Sequence, residues 1–105
     1  MKINGKEYGL YYSIGAHIAF DNWAVNHPKS SYAEGVIQKF TCMVLAYNDA
    51  NGIKDNDPPK KEELAKLPNS MFEEIMAEVL RCEKADTERK VEAETKGNAK
   101  STAKK

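Results

Sequence analysis

Residues 40 to 47 read Phe40, Thr41, Cys42, Met43, Val44, Leu45, Ala46, Tyr47, eight successive positions without a charge. Wound into a helix, this run is apolar on nearly every side, and such a helix must be covered from several directions, by core or by a partner. The chain has 105 residues, room for one domain and too few for two. A chain of this size buries roughly 60–68% of its unfolded surface, so surrounding one wholly apolar helix uses most of what the rest can supply. That run is therefore expected to be the centre of a mainly α (α+β) domain.

The start and stop signals of the other elements fall into place around it. Asn4-Gly5 lies between Lys2-Ile3 and Glu7-Tyr8 and is the dipeptide that best accepts the two positive φ angles of a type I′ turn. A β-hairpin follows, its second strand expected across Tyr8, Gly9, Leu10, Tyr11 and Tyr12 because aromatic residues favour strands. Ser13 can cap a helix over 14–26, with Ala16, Phe20, Trp23 and Ala24 at helical spacing and Pro28 as its stop. Ser31 and Glu34 make a capping box for the central helix, and Asn51-Gly52 closes it. Asp57-Pro58 is expected to start a short helix through Leu67, and Ser70 with Glu73 to cap a last one. The apolar face of that last helix is Met71, Phe72, Ile75, Met76, Val79 and Leu80. Four helices after one hairpin are expected.

After Cys82 the periodicity fails. Residues 83–105 contain Val91 as their one large aliphatic residue and no aromatic, so nothing there can form a buried face. The expected division is a helical domain over 1–85 and a charged tail over 86–105, partly helical, with 97–105 disordered. Charge divides the same way. Sixteen basic and sixteen acidic residues cancel overall. Residues 84–105 nonetheless hold seven basic and four acidic ones (+3), and residues 1–83 nine and twelve (−3). The tail lysines Lys96, Lys100, Lys104 and Lys105 have no aromatic neighbours on which bases could stack. A solvated tail is expected in preference to a nucleic-acid site.

Chemistry is sparse. His17 and His27 are ten residues apart and off a common helical face, whereas a zinc centre needs three or four converging ligands. Asp49, Asn51, Asp55 and Asp57 lack the glycine at the sixth place of a calcium loop. Gly97 to Thr102 lacks the glycine directly before Lys100 that a phosphate-binding loop requires. Cys42 and Cys82 sit in helical patterns without a pairing motif and are expected to be reduced thiols. With no signal-like apolar run after Met1 and Lys2 and no stretch of the ~20 apolar residues that span a bilayer, a cytoplasmic protein without membrane association is expected. No catalytic residue, cofactor or metal is expected.

What remains is a surplus of aromatics, most of them before residue 48. Most of them are expected in the core, but tyrosine and tryptophan also anchor interfaces, so a few are expected to line a groove. Phe20, Trp23, Tyr32 and Tyr47 are the candidate residues of a groove for a partner helix or for a second copy in a homo-oligomer.

Residues 2–16, Lys2-Ile3-Asn4-Gly5-Lys6-Glu7-Tyr8 and on through Ser13-Ile14-Gly15-Ala16, resemble the start of tail assembly chaperones of long-tailed phages and prophages of Gram-positive bacteria. Those proteins open with an Asn-Gly hairpin, an aromatic strand and a helix, and continue as about a hundred mostly helical residues. The resemblance implies a non-enzymatic chaperone in the host cytoplasm that coats the tape-measure protein and gives way to the tail-tube protein. It also implies a second, longer product made by ribosomal frameshifting. Ala103-Lys104-Lys105 can be encoded GCA AAA AAG, which contains a slippery heptamer. Without the resemblance, the same residues also suit another small phage or bacterial adaptor, such as a head–tail connector or a regulatory protein-binding module.

Overall fold

Asn4 and Gly5 take φ values of 50° and 82°, the pair of left-handed residues that a tight hairpin demands. They join β1 (Lys2–Ile3) to β2 (Lys6–Glu7), antiparallel, with Lys2 opposite Glu7 and Ile3 opposite Lys6. The computed structural model describes residues 1–103, and side chains through Thr87. After the hairpin come α1 (Ile14–Asn26), α2 (Tyr32–Asn51), α3 (Lys61–Leu64) and α4 (Asn69–Ala103). The protein is mainly helical, a two-stranded hairpin followed by four helices.

The caps of the first two helices are the ones their residues specify. The Ser13 hydroxyl accepts from the Ala16 amide at 3.0 Å. At α2, Ser31 Oγ accepts from the Glu34 amide at 3.1 Å while the Glu34 carboxylate accepts from the Ser31 amide at 3.3 Å, a reciprocal box worth about 1 kcal/mol. Gly52, with φ of 65°, ends α2 and donates its amide to Asp49 O.

α2 is the centre of the structure. Val36, Phe40, Met43 and Val44 are buried on it, packed with Ile3 and Tyr8 of the hairpin region, Leu64 of α3, and Ile75, Val79 and Cys82 of α4. Phe40 is wholly enclosed and meets the Tyr8 ring edge-on, with centroids 6.5 Å apart at 72°. Of residues 40–47 only Leu45 is exposed. The loop after α2 is tied back by polar side chains: Asn48 donates to Asn56 O and Asn56 donates to Glu7 O, both at 2.7 Å.

Four expectations need correction. The second strand is Lys6–Glu7, and residues 8–12 are not a strand. The Tyr11 amide donates to Met43 O at 3.1 Å, so this aromatic segment leaves the hairpin and lies along α2. The short helix begins at Lys61 rather than at Pro58 and ends at Leu64. Pro59 disfavours helical geometry at Pro58, and Lys60 is still extended. Ser70 is not a cap, because α4 starts one residue earlier, at Asn69, with Met71 N bonded to Pro68 O at 2.9 Å. Finally, α4 runs through Ala103, where composition suggests disorder from residue 97. Once nucleated on the body, a helix rich in Glu, Lys and Ala gains one hydrogen bond per added residue. Lys104 and Lys105 lie outside the described residues.

Among the described residues Cys82 is the last of the core, and Lys39 pairs with Glu83 at 3.3 Å one position later. Ending the chain after Asp86 is therefore expected to move Tm by at most one or two degrees, an effect below ~1 kcal/mol. A thermal melt of the shortened protein measures this. A larger loss would mean that the charged segment supports the body.

Candidate functional site

On α1, Phe20, Trp23 and His27 follow one another at helical spacing, which sets their rings on one face. They form a ladder: Phe20 to Trp23 is 5.9 Å between centroids at 26°, and Trp23 to His27 is 4.7 Å at 14°. His27 closes the helix, its Nδ1 donating to Trp23 O at 2.8 Å. The Lys39 ammonium lies 4.9 Å from the centre of the Phe20 ring while bridging to Glu83, so one cation joins α1, α2 and α4. The tip of the Phe20 ring lies 4.0 Å from where a Cβ on Gly35 would stand. That is an ordinary van der Waals separation, so the ring lies against α2 at Gly35 without needing a glycine there.

Between these three helices runs a groove of about 200 Å³, walled by Phe20, Tyr32, Val36, Met76, Val79 and Leu80. Its floor is apolar and its rim is open: Tyr32 is 72% exposed and Leu80 52%. The Tyr32 hydroxyl reaches Met76 Sδ at 3.8 Å. A phenol and a leucine are thus held out over an apolar floor. A second groove, about 330 Å³, lies between α2, α3 and α4 and is lined by Ile37, Leu64, Leu67, Met71 and Phe72. The Lys61–Glu34 ion pair, 2.8 Å, stands beside it. The hydrogen bond from Lys61 holds the Glu34 carboxyl below its ordinary range.

The structure brings Phe20 and Tyr32 into one groove. Trp23 stacks on Phe20 but lines a neighbouring cleft, opposite Pro58 and Pro59. Tyr47 stands apart from all three. Its ring packs on Gly9, so closely that a Cβ there would fall 2.4 Å from the ring atoms, and it serves packing. Sequence reasoning missed Leu80, Met76 and Lys39. Leu80 belongs to the apolar stripe of α4, but it follows Val79 and so turns about 100° away, to the rim.

Tyr12 OH and His17 Nδ1 share a hydrogen bond of 2.7 Å, and His17 Nε2 lies 3.2 Å from Asp21. Burial, followed by the charges of Glu83, Asp21 and Asp86, raises the Tyr12 phenol above its ordinary pKa. Burial likewise pushes up the thiols of Cys42 and Cys82, and the thiolate is the reactive form. Among the described residues no group of three or more His, Cys, Asp or Glu is placed to hold a metal ion. No described helix is long and apolar enough to cross a membrane.

Compared with known proteins, the chain matches no family model, no curated protein and no solved structure.

Proposed function

We propose that this protein is a non-enzymatic tail assembly chaperone of a long-tailed phage or prophage, acting in the host cytoplasm by binding helices of the tape-measure protein until tail-tube subunits replace it. The observation that carries the reading is the open apolar groove beneath Tyr32 and Leu80, beside the Phe20–Trp23–His27 ladder. The resemblance of residues 2–16 supplies the identity of the partner. A helix laid into the groove would cover the exposed leucine and the apolar floor while the Tyr32 hydroxyl stays at the wet edge. The hold is reversible by design of the chemistry: apolar burial without a covalent or metal link can be displaced by a competing surface.

Coexpression with the tape-measure protein tests this. With the chaperone present, tape-measure segments are expected in the supernatant rather than the pellet. Tyr32→Asp with Leu80→Asp, two exposed positions, is expected to return most of that material to the pellet while the variant itself stays folded. Tape-measure segments that pellet equally with and without the protein would end the reading.

A further inference from the structure

The dipeptide Asn-Gly occurs twice in the chain, at Asn4-Gly5 and at Asn51-Gly52. An asparagine before glycine can react with its own backbone. The glycine amide nitrogen, with no side chain beside it to crowd the approach, attacks the asparagine Cγ. The new C–N bond closes a five-membered imide, and the side-chain nitrogen leaves as ammonia, carrying the proton that the backbone nitrogen gives up. Water then opens the ring at one of its two carbonyls. One opening gives aspartate. The other gives isoaspartate, whose main chain runs through Cβ and Cγ and is one carbon longer. Water is consumed, ammonia and a carboxylate are formed, and nothing is oxidised.

The fold sets the two copies apart. At Asn51 both reacting groups are engaged: Nδ2 donates to Tyr47 O at 2.8 Å, and the Gly52 amide donates to Asn48 O and Asp49 O. Reaction there must first unwind the last turn of α2. At Asn4 neither group is held. Among the described residues no hydrogen bond engages its side-chain amide or the Gly5 amide, and both residues are exposed. Asn4 stands at φ of 50°, a left-handed conformation that a residue with a Cβ holds at a cost, so rotating out of it relieves strain. The strands that resist such opening are two residues each, and a two-stranded hairpin is marginal by itself.

The product would be felt in the core. Ile3, next to Asn4, is 2% exposed and belongs to the central cluster with Tyr8. Turn type and loop length fix the register of a hairpin. A turn longer by one carbon pulls Ile3 either out of line with Lys6, its partner across the hairpin, or out of the core.

We infer that Asn4 is a site of spontaneous modification, converted by the Gly5 amide and water to aspartate and isoaspartate, and that the isoaspartate form has a loosened hairpin. What it presents is an isoaspartyl residue on an exposed turn, the class of substrate that carboxyl-methylating repair enzymes take.

The full chain is incubated at mildly alkaline pH, folded and in guanidinium chloride, then digested under acid conditions and mapped by peptide mass. An isoaspartyl methyltransferase with a labelled methyl donor counts the isoaspartate. In denaturant the two asparagines are expected to react at similar rates, because the dipeptide is the same. In the folded chain Asn4 is expected to react at least tenfold faster than Asn51, with most of the product accepting methyl groups. As isoaspartate accumulates, the thermal melt should gain a lower-temperature component of matching size. Asn4→Asp, which brings the charge without the extra carbon, should melt as the parent does. No reaction at Asn4, equal rates at the two sites of the folded chain, an Asn4 slowed by folding as much as Asn51, or a product without isoaspartate would overturn the inference. So would an aged protein that melts in one step with the parent, since the hairpin would then tolerate the longer turn. An Asn4→Asp variant that melts as low as the aged form would overturn it too, since charge alone would account for the loss.

Discussion

Phe40→Ala is expected to cost about 3–5 kcal/mol, the range for truncating an aromatic residue in a core that collapses only partly around the gap. Phe40 is wholly enclosed and belongs to the one cluster that joins the hairpin region, α2, α3 and α4. Its loss removes the edge-on partner of Tyr8 and opens a cavity in the middle of that cluster. A chain of this size has roughly 5–15 kcal/mol of stability in all, so the variant should retain a small margin. Its Tm should fall by more than about 10 °C, since 1 kcal/mol moves a domain of this length by roughly 4–8 °C. Thermal and urea melts measure the loss. A loss under about 1 kcal/mol would mean that α2 is not the centre of the core.

Gly9→Ala is expected to cost about 1–3 kcal/mol, the usual penalty of forcing an extra carbon into packed surroundings. The reason is contact rather than backbone freedom. A Cβ at residue 9 would stand 2.4 Å from two atoms of the Tyr47 ring and 2.6 Å from a third, so the ring must swing away. That ring and the Tyr11–Met43 backbone bond together fasten the segment after the hairpin to α2. The effect should therefore be coupled: in a Tyr47→Ala background, Gly9→Ala should cost almost nothing. Four melts complete the cycle. Equal costs in the two backgrounds would show that the ring does not set the limit at Gly9.

These two sites also show how far the sequence could be read. The Asn4-Gly5 turn, the Ser13 cap, the Ser31–Glu34 box and the Gly52 stop are local chemistry, each decided within four residues, and each stands where its residue types place it. The central place of residues 40–47 followed from their lack of charge. What was not legible depended on partners far along the chain. Residues 8–12 have strand-like composition, yet Tyr8, Gly9 and Tyr11 are held against α2, some thirty residues away. The same distance hid the role of Tyr47, whose type marks an interface anchor as readily as a packing residue. Within the candidate groove, Phe20 was legible as an aromatic on α1. Leu80 was not, because a stripe read along α4 does not say which residue falls on the core and which on its edge. Asp49 was weighed in the sequence only as part of a calcium loop, and only the meeting of α1 with α2 shows what surrounds it.

Glu34 and Lys61 carry a smaller, pH-dependent version of the same long-range dependence. The Lys61 hydrogen bond and the Ser31 amide lower the Glu34 pKa in the folded protein. A lowered folded-state pKa means the stabilisation is present above the unfolded value and is lost as pH falls through the folded one. Both groups are solvent-exposed, so the effect is confined to acid conditions and screened by salt.

The central claim is that this chain acts by holding a partner's helices. Sedimentation velocity of the purified protein, at several concentrations and with overlapping tape-measure peptides, addresses it most directly. A faster-moving complex with at least one such peptide, diminished by Tyr32→Asp with Leu80→Asp, is the result the account predicts. A protein that sediments as the same monomer at every concentration and with every peptide would contradict it.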